Sequence, residues 1–153
     1  MKKAKKILIG ILIVLVSISA LPFLAFGALL LFVPISRPDD AVLDYVSKKI
    51  PVGTSWDDTI TEIDENNWII KETRTDRGLR INDGAGNAYF ASENEMLNGS
   101  DYPDRIRIVG EKSMFVELGE FYGPFHTAVF VYMAFDENDE LIEMSVRRDI
   151  DSL

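Results

Sequence analysis

Four lysines, Lys2, Lys3, Lys5 and Lys6, stand directly before a run from Ile7 to Val33 that contains no charged side chain. That run decides the compartment of everything after it. As a helix rising about 1.5 Å per residue it is about 40 Å long, against a hydrocarbon core of about 30 Å; tilt, or a kink at Pro22, takes up the surplus. A secretory signal has an apolar stretch of only about 7–15 residues, followed by a small-residue cleavage site. Here the small residues Ser17, Ser19, Ala20, Ala25 and Gly27 lie inside the run, with Leu29 to Val33 still to come. The expectation is an uncleaved anchor. The sequence has no cysteine, which excludes a lipid-modified cysteine.

Lysines stay on the cytoplasmic side of a span. Beyond the run only Arg37 follows closely, beside Asp39 and Asp40. The chain therefore divides into a cytoplasmic basic segment (1–6), a transmembrane helix (7–33) held by membrane lipid, a linker (34–40) and an extracytoplasmic domain (41–153). The expected location is the cell membrane, single-pass, with the N-terminus inside. Residues 37–153 hold all 25 acidic side chains and 12 of the basic ones, a net charge of −13. Such a surface repels nucleic acid and anionic lipid headgroups. It suits a basic protein partner, or it simply keeps an exported, monomeric domain soluble.

After the junction, Val42, Leu43, Val46 and Ile50 recur at helical spacing, with Asp39 or Asp40 as candidate cap and Pro51 as stop. Val52 to Ser55 is a turn that opens a second helix. There Asp57 and Asp58 sit in the first turn, Trp56, Ile60 and Ile63 form an apolar stripe, and Asn66–Asn67 end it. Residues 68–73, 78–81 and 105–108 are strand candidates. The segment 83–87 is a turn, and 92–104 reads as a long polar loop. Met114 to Leu118 alternates. Phe125, Thr127, Val129, Val131, Met133 and Phe135 line one face of a long strand, and His126, Ala128, Phe130, Tyr132 and Ala134 the other. A turn at 136–140 leads into a last strand over 141–148. The expected fold is α+β: one transmembrane helix, then two short helices packed on an antiparallel β-meander of about four to five strands.

Two motifs carry a likeness. Val52-Gly53-Thr54-Ser55-Trp56-Asp57-Asp58 opens a helix that closes at Asn67-Trp68, and Ala134-Phe135-Asp136-Glu137-Asn138-Asp139-Glu140-Leu141-Ile142 forms a hairpin. Together they resemble small membrane-anchored bacterial envelope domains with an α-α-β layout: the outer-membrane assembly lipoproteins of the SmpA/OmlA type and the β-lactamase-inhibitor-protein fold. Two departures stand out. There is no lipidated cysteine, and Asn138-Asp139 stands where that hairpin commonly has glycine. The chain also resembles uncharacterised anchored proteins that end in Asp-Ser-Leu, as in Asp151-Ser152-Leu153. The likeness implies a fold and a compartment; function on such folds lives in grafted sites.

Catalytic, cofactor and metal residues are not evident. With one histidine and no cysteine the usual zinc sets cannot be assembled. Asp136, Asn138 and Glu140 alternate as in a calcium loop, but Leu141 replaces the needed glycine and Arg147 the closing carboxylate. His126 lacks a nucleophile motif around it and reads as a half-exposed strand residue. The aromatic residues are more suggestive. Phe121, Tyr122 and Phe125 crowd a turn, and Phe130 and Tyr132 share a strand face; these five are the candidate partner-binding residues. The alternative for the turn is that Phe121 and Phe125 fold back on the sheet. For the face, either the helices cover it or it is open.

The leading function is a non-catalytic, membrane-anchored protein-binding or accessory domain of the bacterial envelope. The alternatives are an inhibitor or immunity protein that neutralises an envelope-acting hydrolase or toxin, and an enzyme of unknown class. The topology has a direct test. Protease added to spheroplasts should digest residues 37–153. Protection of that part would reverse the orientation, and a mature N-terminus near residue 20 or 28 would replace the anchor with a cleaved leader.

Overall fold

The structure is a computed structural model that describes residues 16–21, 23–24, 27–28, 32–82, 87–97, 106–122 and 125–151. Among these residues no helix is long and apolar enough to cross a membrane. Most of the expected span, including 7–15, lies outside them, as do residues 83–86 of the expected turn and 98–104 of the expected loop. The described residues between 16 and 32 are helical, and Val16, Ile18, Leu21, Phe23, Leu24 and Phe32 are all exposed.

The domain is α+β with two antiparallel sheets. Its helices are α1 (Asp39–Lys49), α2 (Trp56–Glu65) and α3 (Glu93–Leu97). Its strands are β1 (Ile69–Arg74), β2 (Leu79–Asn82), β3 (Asn87–Phe90), β4 (Ile106–Val109), β5 (Lys112–Tyr122), β6 (His126–Phe135) and β7 (Leu141–Asp151). The main sheet has the order β1-β5-β6-β7, and the smaller one β3-β2-β4. Among the described residues the single meander expected from sequence is thus corrected to two sheets, of four and three strands. The segment read as a loop over 92–104 holds α3, which Ser92 opens by exchanging hydrogen bonds with Glu95 as a reciprocal cap.

The central sheet is covered on both faces. Against one face, α1 and α2 deliver Val42, Val46, Ile50 and Ile63 onto Met114, Val116, Val129, Val131, Met133 and Phe135. The alternation along β6 sends its odd-numbered residues to this side. Phe135 has no solvent exposure and meets Trp56 edge-on at 4.7 Å. Burial of a side chain of that size stabilises by about 1.5–3 kcal/mol. Against the other face, the second sheet lays Leu79, Ile81 and Ala88 over Tyr132 and Ala134. Where β4 gives way to β5 the chain passes from one sheet to the other. Gly110 there has φ +75°, and a Cβ on it would stand 2.6 Å from the Phe135 carbonyl oxygen, so only glycine fits.

The residues expected as linker, 34–40, are folded onto the domain. Pro34–Ser36 is a 3-10 helix, and α1 begins at Asp39 with Pro38 in the capping position. Asp39 and Asp40 therefore occupy the first turn instead of the cap, where the helix dipole favours anions. Arg148 of β7 fastens this junction. Its guanidinium donates to the Ile35 carbonyl at 3.1 Å, to the Arg37 carbonyl and to the Asp39 carboxylate, and it lies 5.8 Å from the Phe121 ring centroid.

The β6–β7 hairpin explains the departure from glycine. Asp139 adopts φ +65°, a left-handed conformation that aspartate tolerates better than most residues, and it pairs with Lys112. Asp136 Oδ1 accepts hydrogen bonds from the backbone N–H of Asn138 and of Glu140, both at 2.9 Å. The carboxylate thus organises the turn. The Glu140 backbone bond, followed by that of Asn138, holds the Asp136 carboxyl below its ordinary value of 3.8. A depressed carboxyl pKa stabilises the fold above the unfolded value, and that contribution is lost as pH falls through the folded value. Replacing Asp136 with alanine should lower stability at neutral pH and flatten the acid limb of the stability–pH profile. Parallel profiles for parent and variant would contradict this role.

Candidate protein-binding groove

The five aromatic candidates separate into buried and exposed groups. Phe130 and Tyr132 are buried. Phe115 stacks on both, at 4.9 Å and 4.4 Å between ring centroids, and Phe90 meets Tyr132 edge-on at 5.7 Å. Neither the helices nor open solvent covers Tyr132; the second sheet does, which sequence reasoning had not considered. Burial raises the Tyr132 phenol pKa, opposed by a hydrogen bond from Arg147. Phe121 folds back onto the main core beneath Arg148. Tyr122 and Phe125 remain 76% and 52% exposed. Tyr122 stacks on the His126 imidazole at 4.7 Å, and His126 Nε2 lies 2.9 Å from Glu120 Oε2. The structure therefore leaves two of the five candidates at the surface, at one end of the main sheet.

A different surface forms a recess. β1 is an edge strand of the main sheet, and α2 lies alongside it. Between them is an open groove of about 490 Å³ lined by Ile60, Thr61, Ile63, Asp64, Trp68, Ile69 and Ile70. Local chemistry builds each wall. Ser55 caps α2 by accepting from the Asp58 N–H at 3.1 Å. Asn67, at φ +55°, turns the chain out of the helix, and the Trp68 N–H donates to the Ile63 carbonyl at 3.0 Å. The reversal brings β1 back beside the helix it follows. Trp68 is buried against Tyr45, and Ile70 packs on the main core, while Ile60 and Ile69 stay accessible.

The groove also has a sign. α2 carries Asp57, Asp58, Glu62, Asp64 and Glu65 with no basic residue. On β1 the cations are neutralised, Lys71 by Glu117 at 2.9 Å and Arg74 by Glu72. Of the α2 acids Asp64 lines the groove; the apolar floor, this carboxylate and the strand edge together suit an extended segment that offers backbone hydrogen bonds and alternating apolar and basic side chains. Sequence reasoning placed Ile60 in a core stripe and missed the groove. The available signal was the Ile69–Ile70 pair: adjacent strand residues face opposite sides, so an edge strand cannot bury both on one core.

Among the described residues, no group of three or more histidine, cysteine, aspartate or glutamate side chains could hold a metal ion. No family model, curated protein or solved structure matches the chain.

Proposed function

We propose that this chain is a membrane-anchored, extracytoplasmic protein-binding module of the bacterial envelope, non-catalytic, that takes up an extended basic segment of a partner protein along the free edge of β1. The observation that carries the reading is the groove itself, where β1, the edge strand of its sheet among the described residues, runs beside an apolar floor and a helix of five acids. Strand addition supplies main-chain hydrogen bonds for affinity, and pockets for alternate side chains supply selectivity. The anchor is supported by the lysine cluster, the uncharged run and the exposed apolar side chains of residues 16–32. An inhibitor or immunity role draws on the same acidic helix, since a basic loop of a hydrolase or toxin would fit the groove equally well. The identity of the captured protein separates the two.

Photo-crosslinking in cells tests the groove. A photoreactive residue in place of Thr61 in the full-length chain should yield one discrete adduct whose partner peptide maps to an extended basic segment. The same residue in place of Asn138, on the opposite hairpin, should not. Ile60→Lys and Asp64→Lys change accessible positions and should each weaken capture about tenfold, equivalent to about 1.4 kcal/mol, with the melting temperature unchanged. Equal adducts from positions 61 and 138, or capture untouched by both substitutions, would overturn the proposal.

A further inference from the structure

We infer that the end of the main sheet bearing Tyr122, Phe125 and Ile150 rests in the headgroup layer of the bilayer that holds the anchor, so that the domain docks on the membrane edge-first. The inference rests on the reading of residues 7–33 as a membrane span, and concerns where the domain sits relative to it.

The chain leaves no slack between the two. The uncharged run ends at Val33, and Ile35, two residues later, is already against the sheet: its Cδ1 is the nearest atom, at 3.3 Å, to a Cβ placed on Gly119. Ser36 is buried, and Arg148 holds the carbonyls of Ile35 and Arg37. Two extended residues reach at most about 7 Å, so the sheet near Gly119 lies close to the membrane surface.

The direction is fixed by α1. It starts at Asp39 beside Arg148, and after its end Gly53 donates to the carbonyl of Leu141 at 2.7 Å. The helix thus runs along β7 from its 148 end toward its 141 end, and the chain before Pro34 departs at the 148 end. The register places Gly119, Val129 and Arg148 in one cross-strand row. Three rows further on are Tyr122, His126 and Asp151, about 10 Å beyond at about 3.4 Å per residue. The hairpin end therefore projects past the point of attachment, toward the bilayer.

Its surface chemistry matches that place. Tyr122, Phe125 and Ile150 are among the most exposed large apolar side chains of the folded domain, Ile150 at 60%. Tyrosine favours the membrane–water interface, where its ring lies among headgroups and its hydroxyl stays hydrated. Three of the acids nearby carry cationic or basic partners: Glu120 has His126, Asp149 has Arg147 at 3.0 Å, and Asp39 has Arg148. β1 begins at Ile69, which pairs with Glu117, one cross-strand row behind Gly119.

The absence of native cysteine makes depth measurement simple. Single cysteines would be introduced as Ile18→Cys, Tyr122→Cys, Phe125→Cys, Ile150→Cys and Asn138→Cys. Each full-length protein would be labelled with an environment-sensitive fluorophore and reconstituted into phosphatidylcholine vesicles carrying nitroxide quenchers at shallow or deep acyl positions. Labels at 122, 125 and 150 should be quenched by shallow nitroxides at least threefold more than the label at 138, and the label at 18 by deep nitroxides. If 18 is quenched deeply while all three tip positions match 138, the docking is wrong, the anchor stands, and the tip is free for a protein partner. If 18 is not quenched, the anchor reading fails and takes the inference with it.

Discussion

One guanidinium joins the folded domain to whatever precedes it. Arg148 is largely buried by its contacts, and its donors reach two backbone carbonyls and one carboxylate within a stretch of five residues, Ile35 to Asp39. A planar fork of donors can meet acceptors in three directions at once; a lysine ammonium on a flexible stem cannot hold the same geometry. The face of the fork covers Phe121, so the clamp also closes the core at that end. Without it the 3-10 helix would lose these bonds to β7 and keep the packing of Ile35 and Ser36. With it, the orientation of the strands is set relative to the point where the uncharged run ends.

That constraint gives the sheet two chemically distinct ends and an edge to which we assign the partner segment. The end nearest the junction carries exposed aromatic and aliphatic side chains among paired charges. The opposite end carries the Asp136 turn, whose carboxylate is spent on two backbone amides. The β1 edge, beside an acidic helix, is where we propose that another chain docks. Long exposed edges invite uncontrolled pairing, and proteins usually blunt them with charge and irregularity. β1 has both: its register slips between Ile70 and Glu72, and Lys71, Glu72 and Arg74 interrupt its surface. An edge managed in this way admits a selected segment more readily than a second copy of itself.

The parts legible in the sequence were those with strong local signals. Ser55 before a helix, the alternation through Val129 to Phe135 and the Asp136 turn each specify geometry within a few residues. The faces of β6 followed from period two alone. The second sheet did not, because β2, β3 and β4 are four residues each and nothing local says which sheet a short strand joins. That decision is made at Gly110, where a close backbone approach redirects the chain. The same gap misplaced Tyr132, whose covering residues come from strands some forty to fifty residues earlier. The aromatic turn was visible as a cluster, but its division into a core residue, Phe121, and surface residues, Tyr122 and Phe125, depended on Arg148. The groove needed both the α2 reversal at Asn67 and the position of β1 at the edge, and strand order is a long-range property.

The central claim is that the Arg148 clamp fixes the strands end-on to the bilayer. Paramagnetic relaxation of backbone amides in the full-length chain, held in nanodiscs carrying a gadolinium-chelating lipid, measures it directly. Enhancement should be greatest at Phe121, Thr127 and Ile150 and decline steadily along each strand to Lys112, Phe135 and Leu141, about 30 Å away at about 3.4 Å per residue. The Arg148→Ala chain should lose that gradient while keeping its β-sheet signals. Equal enhancement at both ends of β5, β6 and β7 in the parent, or a gradient unchanged by Arg148→Ala, would contradict the account.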